Sequence, residues 1–422
     1  MLGLLRKHEV ASNNIHVGID PKGRSVFLPV EACGSHVSIF GVSGVGKSFL
    51  LCLLASAFNA LDIPVAIVDA KGGSTLLAEI KRSNLQAKRL DFVAPGIDDS
   101  KCYDPLANAT PREIGLAIAS TTTYESNAAI YGAIARNTFA TLAKALQVLK
   151  EEVSLISLEQ HCDRQAMVGL ATRLREQRAD EVAEELLRVA YSDSPARPKD
   201  TRLRLSELRA GVFGQDWVPD ELLGTVTMED ALIFPGITYW ALGSLGGQED
   251  QAAGAALLFN DVQRVVASRI SRVARGEEVS LAVLIIDDYA SLASSEELTT
   301  LLTQAREAKV MLFPAMQYIP DSRNNFGLRK ALLGTGVQII FRLGEDCEDA
   351  AGIFGTKESL AISTHIGASA YGEGTATPDR EYRVHPDEIR SLQRGSCFLR
   401  VANGRRGESE IFEVANVRAN GK

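Results

Sequence analysis

Residues 41–49 read GVSGVGKSF, and Gly41 to Ser48 fit the pattern G-x-x-x-x-G-K-S. The apolar run HVSIF (36–40) stands before this stretch and reads as a buried strand, and SFLLCLLASAFNAL (48–61) follows it as a helix. Strand, glycine-rich turn and helix in that order form a phosphate-binding loop. The glycines let backbone N–H groups approach phosphate oxygens, and the positive end of the helix dipole adds to their attraction. On this reading Gly41, Val42, Ser43, Gly44, Val45, Gly46, Lys47, Ser48 and Phe49 hold a nucleotide, expected to be ATP. Lys47 reaches the β- and γ-phosphates and the Ser48 hydroxyl holds Mg²⁺.

Outward from the loop, IPVAIVDA (63–70) is a second apolar strand and 74–83 a helix. A strand-helix-strand-helix order predicts an α/β fold with a mostly parallel sheet. The lead-in, 1–35, contains one expected strand, SVFLPV. From about 108 to 229 the pattern changes to long helical periodicities, AAIYGAIARNTFATLAKALQVLKEEV and LATRLREQRADEVAEELLRVAY, read as an all-α insertion. Strands are expected again at 231–243, 281–287, 309–315 and 337–342, between helices at 249–274, 295–307 and 346–354, with a strand-rich tail after about 379. The nucleotide-binding domain is thus expected over 36–107 and 230–422.

The composition, 45% hydrophobic and 23% charged over 422 residues, excludes a disordered chain. No window reaches the roughly 18 uninterrupted apolar residues of a membrane span, and MLGLLRK is too short for a secretory signal. A cytoplasmic protein is expected, either docked at the inner membrane through a partner or working free in the cytoplasm. Six scattered cysteines without a C-x-x-C pair argue against a zinc site. The net charge of −8 means that a nucleic-acid partner needs a local basic face or a ring that gathers basic side chains at a pore. Two groups qualify, RVVASRISRVAR (Arg264, Arg269, Arg272, Arg275) and ARPKDTRLRLSELR (Arg197, Lys199, Arg202, Arg204, Arg209), and either also reads as a solvated face.

Hydrolysis needs further groups. LAVLIIDDYASL (281–292) is an apolar strand ending in Asp287, placed to orient the water shell of Mg²⁺, and Asp288 is the candidate to polarise the attacking water or else a helix cap. In MLFPAMQYIP (311–320) Gln317 stands just past a buried strand, as a γ-phosphate sensor or as a plain loop residue. Arg306 in TQAREAKV is an arginine-finger candidate if subunits form a ring, or a lone surface arginine, and Arg342 in IIFRLG competes for the finger role.

GSHVSIFGVSGVGKS, VAIVDAKGGS, KCYDPL, the helical stretch, the Asp-Asp strand, QAREAKVMLFPAMQ and VHPDEIRSLQRGSCFLRV occur in that order over about 22–402. Together they resemble the type IV secretion coupling proteins, the TraG/TraD-like branch of the FtsK and HerA superfamily. The resemblance implies a RecA-like core and a DNA-translocating hexameric ATPase using ATP and Mg²⁺. It implies Asp287 as the Walker B carboxylate, Gln317 as the γ-phosphate sensor and Arg306 as the finger from a neighbouring subunit. Implied partners are DNA, a relaxase or other secretion substrate, and components of the secretion channel. The family usually has Glu where this chain has Asp288, and it usually begins with membrane-spanning helices.

Overall fold

The computed structural model describes residues 14–72, 74–84, 87–94, 100–122, 129–192, 205–206, 224–242, 248–289, 295–321, 323, 325–364, 374–402 and 409–417. The chain divides into two compact units, Met1–Leu54 with Leu312–Lys422, and Ala55–Met311.

The first unit opens with a hairpin, β1 (Asn14–Ile19) and β2 (Ser25–Pro29), followed by α1 (Val30–Cys33), β3 (Val37–Phe40) and the start of α2 (Lys47–Ala60). β2 alternates exposed and buried residues while β3 is buried at every position. This is the difference between a half-covered antiparallel ribbon and a strand covered on both faces.

The second unit runs through β4 (Val65–Asp69), α3 (Ser74–Ser83), β5 (Leu90–Val93), β6 (Cys102–Tyr103), α4 (Pro111–Ser120), α5 (Ala129–Val148), α6 (Leu155–His161), α7 (Arg164–Glu176) and α8 (Asp180–Ala190). It continues with β7 (Thr225–Val226), α9 (Met228–Ile233), β8 (Ile237–Ala241), α10 (Gln248–Ala274), β9 (Ala282–Asp287) and α11 (Ser295–Gln304). Its sheet strands lie in the order β9-β4-β8-β5, every pairing parallel. The described residues between α4 and α8 carry no strand, and β7 pairs only with β6. A capping box starts α4: Thr110 accepts from the Glu113 N–H while the Glu113 carboxylate accepts from the Thr110 N–H, and Pro111 takes the first helical position.

β10 (Val310–Met316) leads back to the first unit, which continues through α12 (Phe326–Leu333), β11 (Val337–Ile340), α13 (Cys347–Phe354), β12 (Thr356–Thr364), β13 (Gly374–Tyr382), α14 (Pro386–Ser391), β14 (Cys397–Val401) and β15 (Glu410–Val414). Its strand order is β15-β14-β11-β3-β10. β3 pairs in parallel with β10 and β11, and within this sheet antiparallel pairing is confined to β14 and β15 at one edge. The α/β architecture with a mostly parallel sheet is therefore the one observed.

Three details differ from the sequence reading. The stretch 231–243 is not one strand: Thr227 Oγ1 accepts from the Asp230 N–H to start α9, and Phe234-Pro235-Gly236, with Gly236 at φ 145°, breaks the chain before β8. A capped helix start followed by a glycine in the left-handed region interrupts the extended run before β8. β5 was invisible because its four residues, LDFV, include a buried aspartate, which pairs with Lys101 at 2.7 Å and Arg89 at 3.5 Å. The strand-rich tail begins earlier than expected, with the β12–β13 hairpin from Thr356.

Candidate functional site

In the first unit, the loop after β3 hangs from the ends of its two neighbouring strands. The Gly41 N–H donates to Met316 O at 3.1 Å, at the end of β10, and the Val42 N–H donates to Arg342 O at 3.0 Å, just past β11. A Cβ at Gly41 would stand 2.6 Å from Phe341 Cβ and 3.0 Å from Val45 Cγ2, so only glycine fits where the loop leaves the strand. Gly44 (φ 77°) and Gly46 (φ 116°) take backbone conformations that side chains disfavour. Lys47 is buried and curls back over the loop, its ammonium donating to Gly41 O and, at 2.9 Å, to Val42 O. From the other side the Gly395 N–H donates to Val45 O at 2.8 Å, so the turn before β14 braces the loop. α2 has no acidic residue in its first turn to cancel the positive end of its dipole.

Gln317 follows Met316, and Arg342 itself roots the loop through its backbone carbonyl. Gln317 is half-buried and Arg342 exposed. The segment after Gln317 is pinned: the Ile319 N–H donates to Asp346 Oδ2 at 3.2 Å, and Arg329 donates to Pro320 O at 3.1 Å while pairing with Asp349 at 2.9 Å.

The carboxylates belong to the second unit. Asp287 is the last residue of β9 and stands in register with Asp69, the last residue of β4. The Ala70 N–H donates to Asp287 O at 3.2 Å. The Asp69 carboxylate organises the D-x-K-G turn by accepting from the Lys71 and Gly72 N–H groups at 2.9 and 3.1 Å and from the Tyr239 hydroxyl at 2.5 Å. Burial, reinforced by the Asp69 charge, pushes the Tyr239 phenol far above its ordinary range, so it keeps its proton and donates it to Asp69. Asp288 is buried at φ 59° and its carboxylate pairs with the Lys71 ammonium at 2.5 Å. It does not flank α11, which begins at Ser295. Arg306 is exposed in the turn after α11.

Sequence reading missed Tyr239 and Gly395. A tyrosine within a fully buried strand must find an acceptor for its hydroxyl, and that signal pointed to Tyr239. Gly395, in an R-G-S turn before a strand, carried no signal of its own.

The first basic group is not an exposed track. Arg269 is 2% exposed and donates to Ala308 O at 3.0 Å, Leu232 O at 2.8 Å and Ser280 O. Arg264 pairs with buried Asp261 at 2.6 Å, and Arg272 and Arg275 share Glu277 at 2.9 and 2.7 Å. Of the second group, Arg197, Lys199, Arg202, Arg204 and Arg209 all lie outside the described residues. The cysteines form no disulfide, and no cluster of three metal-binding side chains occurs among the described residues. No described helix is long and apolar enough to cross a membrane.

Over 99% of its length this chain superposes on the unbound bacterial conjugative coupling protein TrwBdeltaN70, covering 93% of that chain with a TM-score of 0.62 at 18% identity. The two share a fold. TrwB in complex with ADP and Mg²⁺ matches at a TM-score of 0.59 and 17% identity, over 98% of this chain and 92% of that one. VirB4 of Thermoanaerobacter pseudethanolicus matches at 0.55 and 14% identity, over 97% of each chain. In sequence, a family model described as the central domain of the helicase HerA matches residues 15–92. No curated protein matches the chain in sequence. The resemblance to the coupling-protein branch thus holds at the level of the fold, and the HerA match covers the phosphate loop and β4.

Proposed function

We propose that this protein is an ATP-driven motor of the type IV secretion class that moves DNA, or DNA with an attached relaxase, toward a secretion channel. The observation that carries the reading is the phosphate loop, rooted on β10 and β11, braced by Gly395 and filled by the Lys47 ammonium. A buried lysine whose ammonium donates to loop carbonyls is a cation able to exchange them for phosphate oxygens. Gly41 through Phe49 hold ATP, with Lys47 on the β- and γ-phosphates. Ser48 and Asp287 hold Mg²⁺, and this set of hard oxygen donors suits that ion. When bound, Mg²⁺ would supply positive charge against the negative charge developing on the transferred phosphoryl group. Asp288 polarises the attacking water, Gln317 senses the γ-phosphate, and Arg306, with Arg342 as its competitor, supplies the finger across a hexameric ring.

The stretch 108–229 serves as an all-α insertion facing DNA or its bound processing protein, and 36–107 with 230–422 as the RecA-like core. The protein works in the cytoplasm, docked at the inner membrane through a partner. The HerA match keeps a translocase of repair, packaging or defence as the alternative DNA motor. The Lys71–Asp288 pair favours a further reading, a nucleotide-switched docking module with little hydrolysis.

Steady-state ATP turnover of the full chain, alone and with single-stranded or duplex DNA, tests the proposal, with Lys47→Ala as the blank. DNA-stimulated turnover that disappears in Lys47→Ala is expected. ATP binding without turnover under every condition would replace the motor with the docking module.

A further inference from the structure

We propose that Lys71 is a latch on Asp288 that keeps ATP hydrolysis slow until its ammonium is drawn away. The inference rests on Asp288 acting as the residue that polarises water.

The ion pair is built into the fold rather than formed by two mobile surface chains. The Asp69 carboxylate fixes the backbone of Lys71 and Gly72 through two N–H donors, and the Tyr239 hydroxyl in turn holds Asp69. On the opposite strand the Ala70 N–H binds Asp287 O, which sets the height of the turn against the Asp-Asp pair. Asp288 takes a left-handed conformation, φ 59°, a region that aspartate enters more readily than most side chains. Its side chain is 8% exposed and meets the Lys71 ammonium at 2.5 Å.

The two partners differ in their freedom to move. The Lys71 side chain is 56% exposed, so its ammonium can leave into water while the carboxylate stays in place. While paired, the Asp288 carboxylate oxygen is occupied by the Lys71 ammonium and is not presented to an attacking water. An arriving polyanion competes for the ammonium and releases the carboxylate. A DNA phosphate backbone is such a competitor and would couple substrate to turnover. Lys71 does not touch the reacting atoms on this account and is a positioning residue.

The test is steady-state turnover of MgATP by the full chain, with ATP affinity measured beside it, for Lys71→Met, Lys71→Arg and Asp288→Asn. Lys71→Met is expected to raise basal kcat about fivefold with KM unchanged. This factor corresponds to ~1 kcal/mol for a partly exposed pair. It should also shrink the extra stimulation by DNA to the same degree. Lys71→Arg, which keeps the charge, should stay within about twofold of wild type. Turnover at or below wild type in Lys71→Met, with ATP affinity and melting temperature retained, would overturn the latch. Full turnover in Asp288→Asn would overturn the water-polarising reading instead, so the two failures are distinguishable.

Discussion

Replacing Arg269 by methionine removes a charge that three backbone segments share. From α10 its guanidinium binds Leu232 O in α9, Ser280 O before β9 and Ala308 O before β10, with Nε and Nη1 at 3.0 and 2.8 Å. At about 2 kcal/mol for each hydrogen bond from a charged donor, the three contribute ~6 kcal/mol. Against this stands the cost of burying the cation. Burial, aided by the charge of Arg272, pulls the Arg269 pKa down from 12.5 to about 10. That shift corresponds to roughly 3 kcal/mol, leaving a net loss of ~3 kcal/mol on substitution. For a unit of this size, at ~2 °C per kcal/mol, the melting temperature should fall by about 6 °C. Lysine should recover less than half of the loss, since one ammonium cannot reach three carbonyls placed around a planar fork. Thermal melts of the full chain, followed by circular dichroism, read the effect, with DNA affinity measured at matched salt. A melt within about 1 °C of wild type would refute the reasoning. A selective loss of DNA binding in its place would return Arg269 to the nucleic-acid face.

Further outcomes are expected. Gly41→Ala places a Cβ 2.6 Å from Phe341 Cβ at the root of the phosphate loop. It should lower stability by about 2 kcal/mol and ATP affinity at least about tenfold, and wild-type ATP binding by calorimetry would refute the close-packing account. Burial, with the charge of Glu152, raises the Asp104 pKa from 3.8 to about 6. The folded state therefore holds an extra proton between those values, and this contribution to stability is complete below pH ~4 and lost as pH rises through about 6. Asp104→Asn keeps an oxygen for the Leu106 N–H and should flatten that slope, making the variant up to ~3 kcal/mol more stable above pH 6.5 in denaturant titrations. Equal slopes for the two proteins would show that Asp104 does not carry the linkage.

The local signals that proved readable were those in which neighbouring residues alone decide the conformation. G-x-x-x-x-G-K-S between an apolar strand and a helix announced the phosphate loop, because positive-φ glycines and a helix N-terminus are local requirements. The uninterrupted apolar runs of β3, β4 and β9 announced a sheet covered on both faces, because no half-exposed strand tolerates them. Asp287 could be placed at a strand's carboxyl end from the run before it. The failures have an equally local cause. In 231–243 hydrophobicity outvoted the Thr227 cap and the Pro235-Gly236 break, and β5 was hidden by Asp91, a buried carboxylate that pairs with the nearby Arg89 and Lys101.

By itself, then, the sequence determined the nucleotide-binding loop, the parallel α/β class and the candidate carboxylates, since each is written in contiguous residues. Tertiary structure decided what those groups touch. It took Arg269 from a candidate DNA track into the interior, set Gly395 against Val45, and joined Lys71 to Asp288 across more than 200 residues of chain. Periodicity reports which face of an element is buried, whereas the partner of a buried charge is chosen by strand order, which brings β4 beside β9 and so sets Asp69 opposite Asp287.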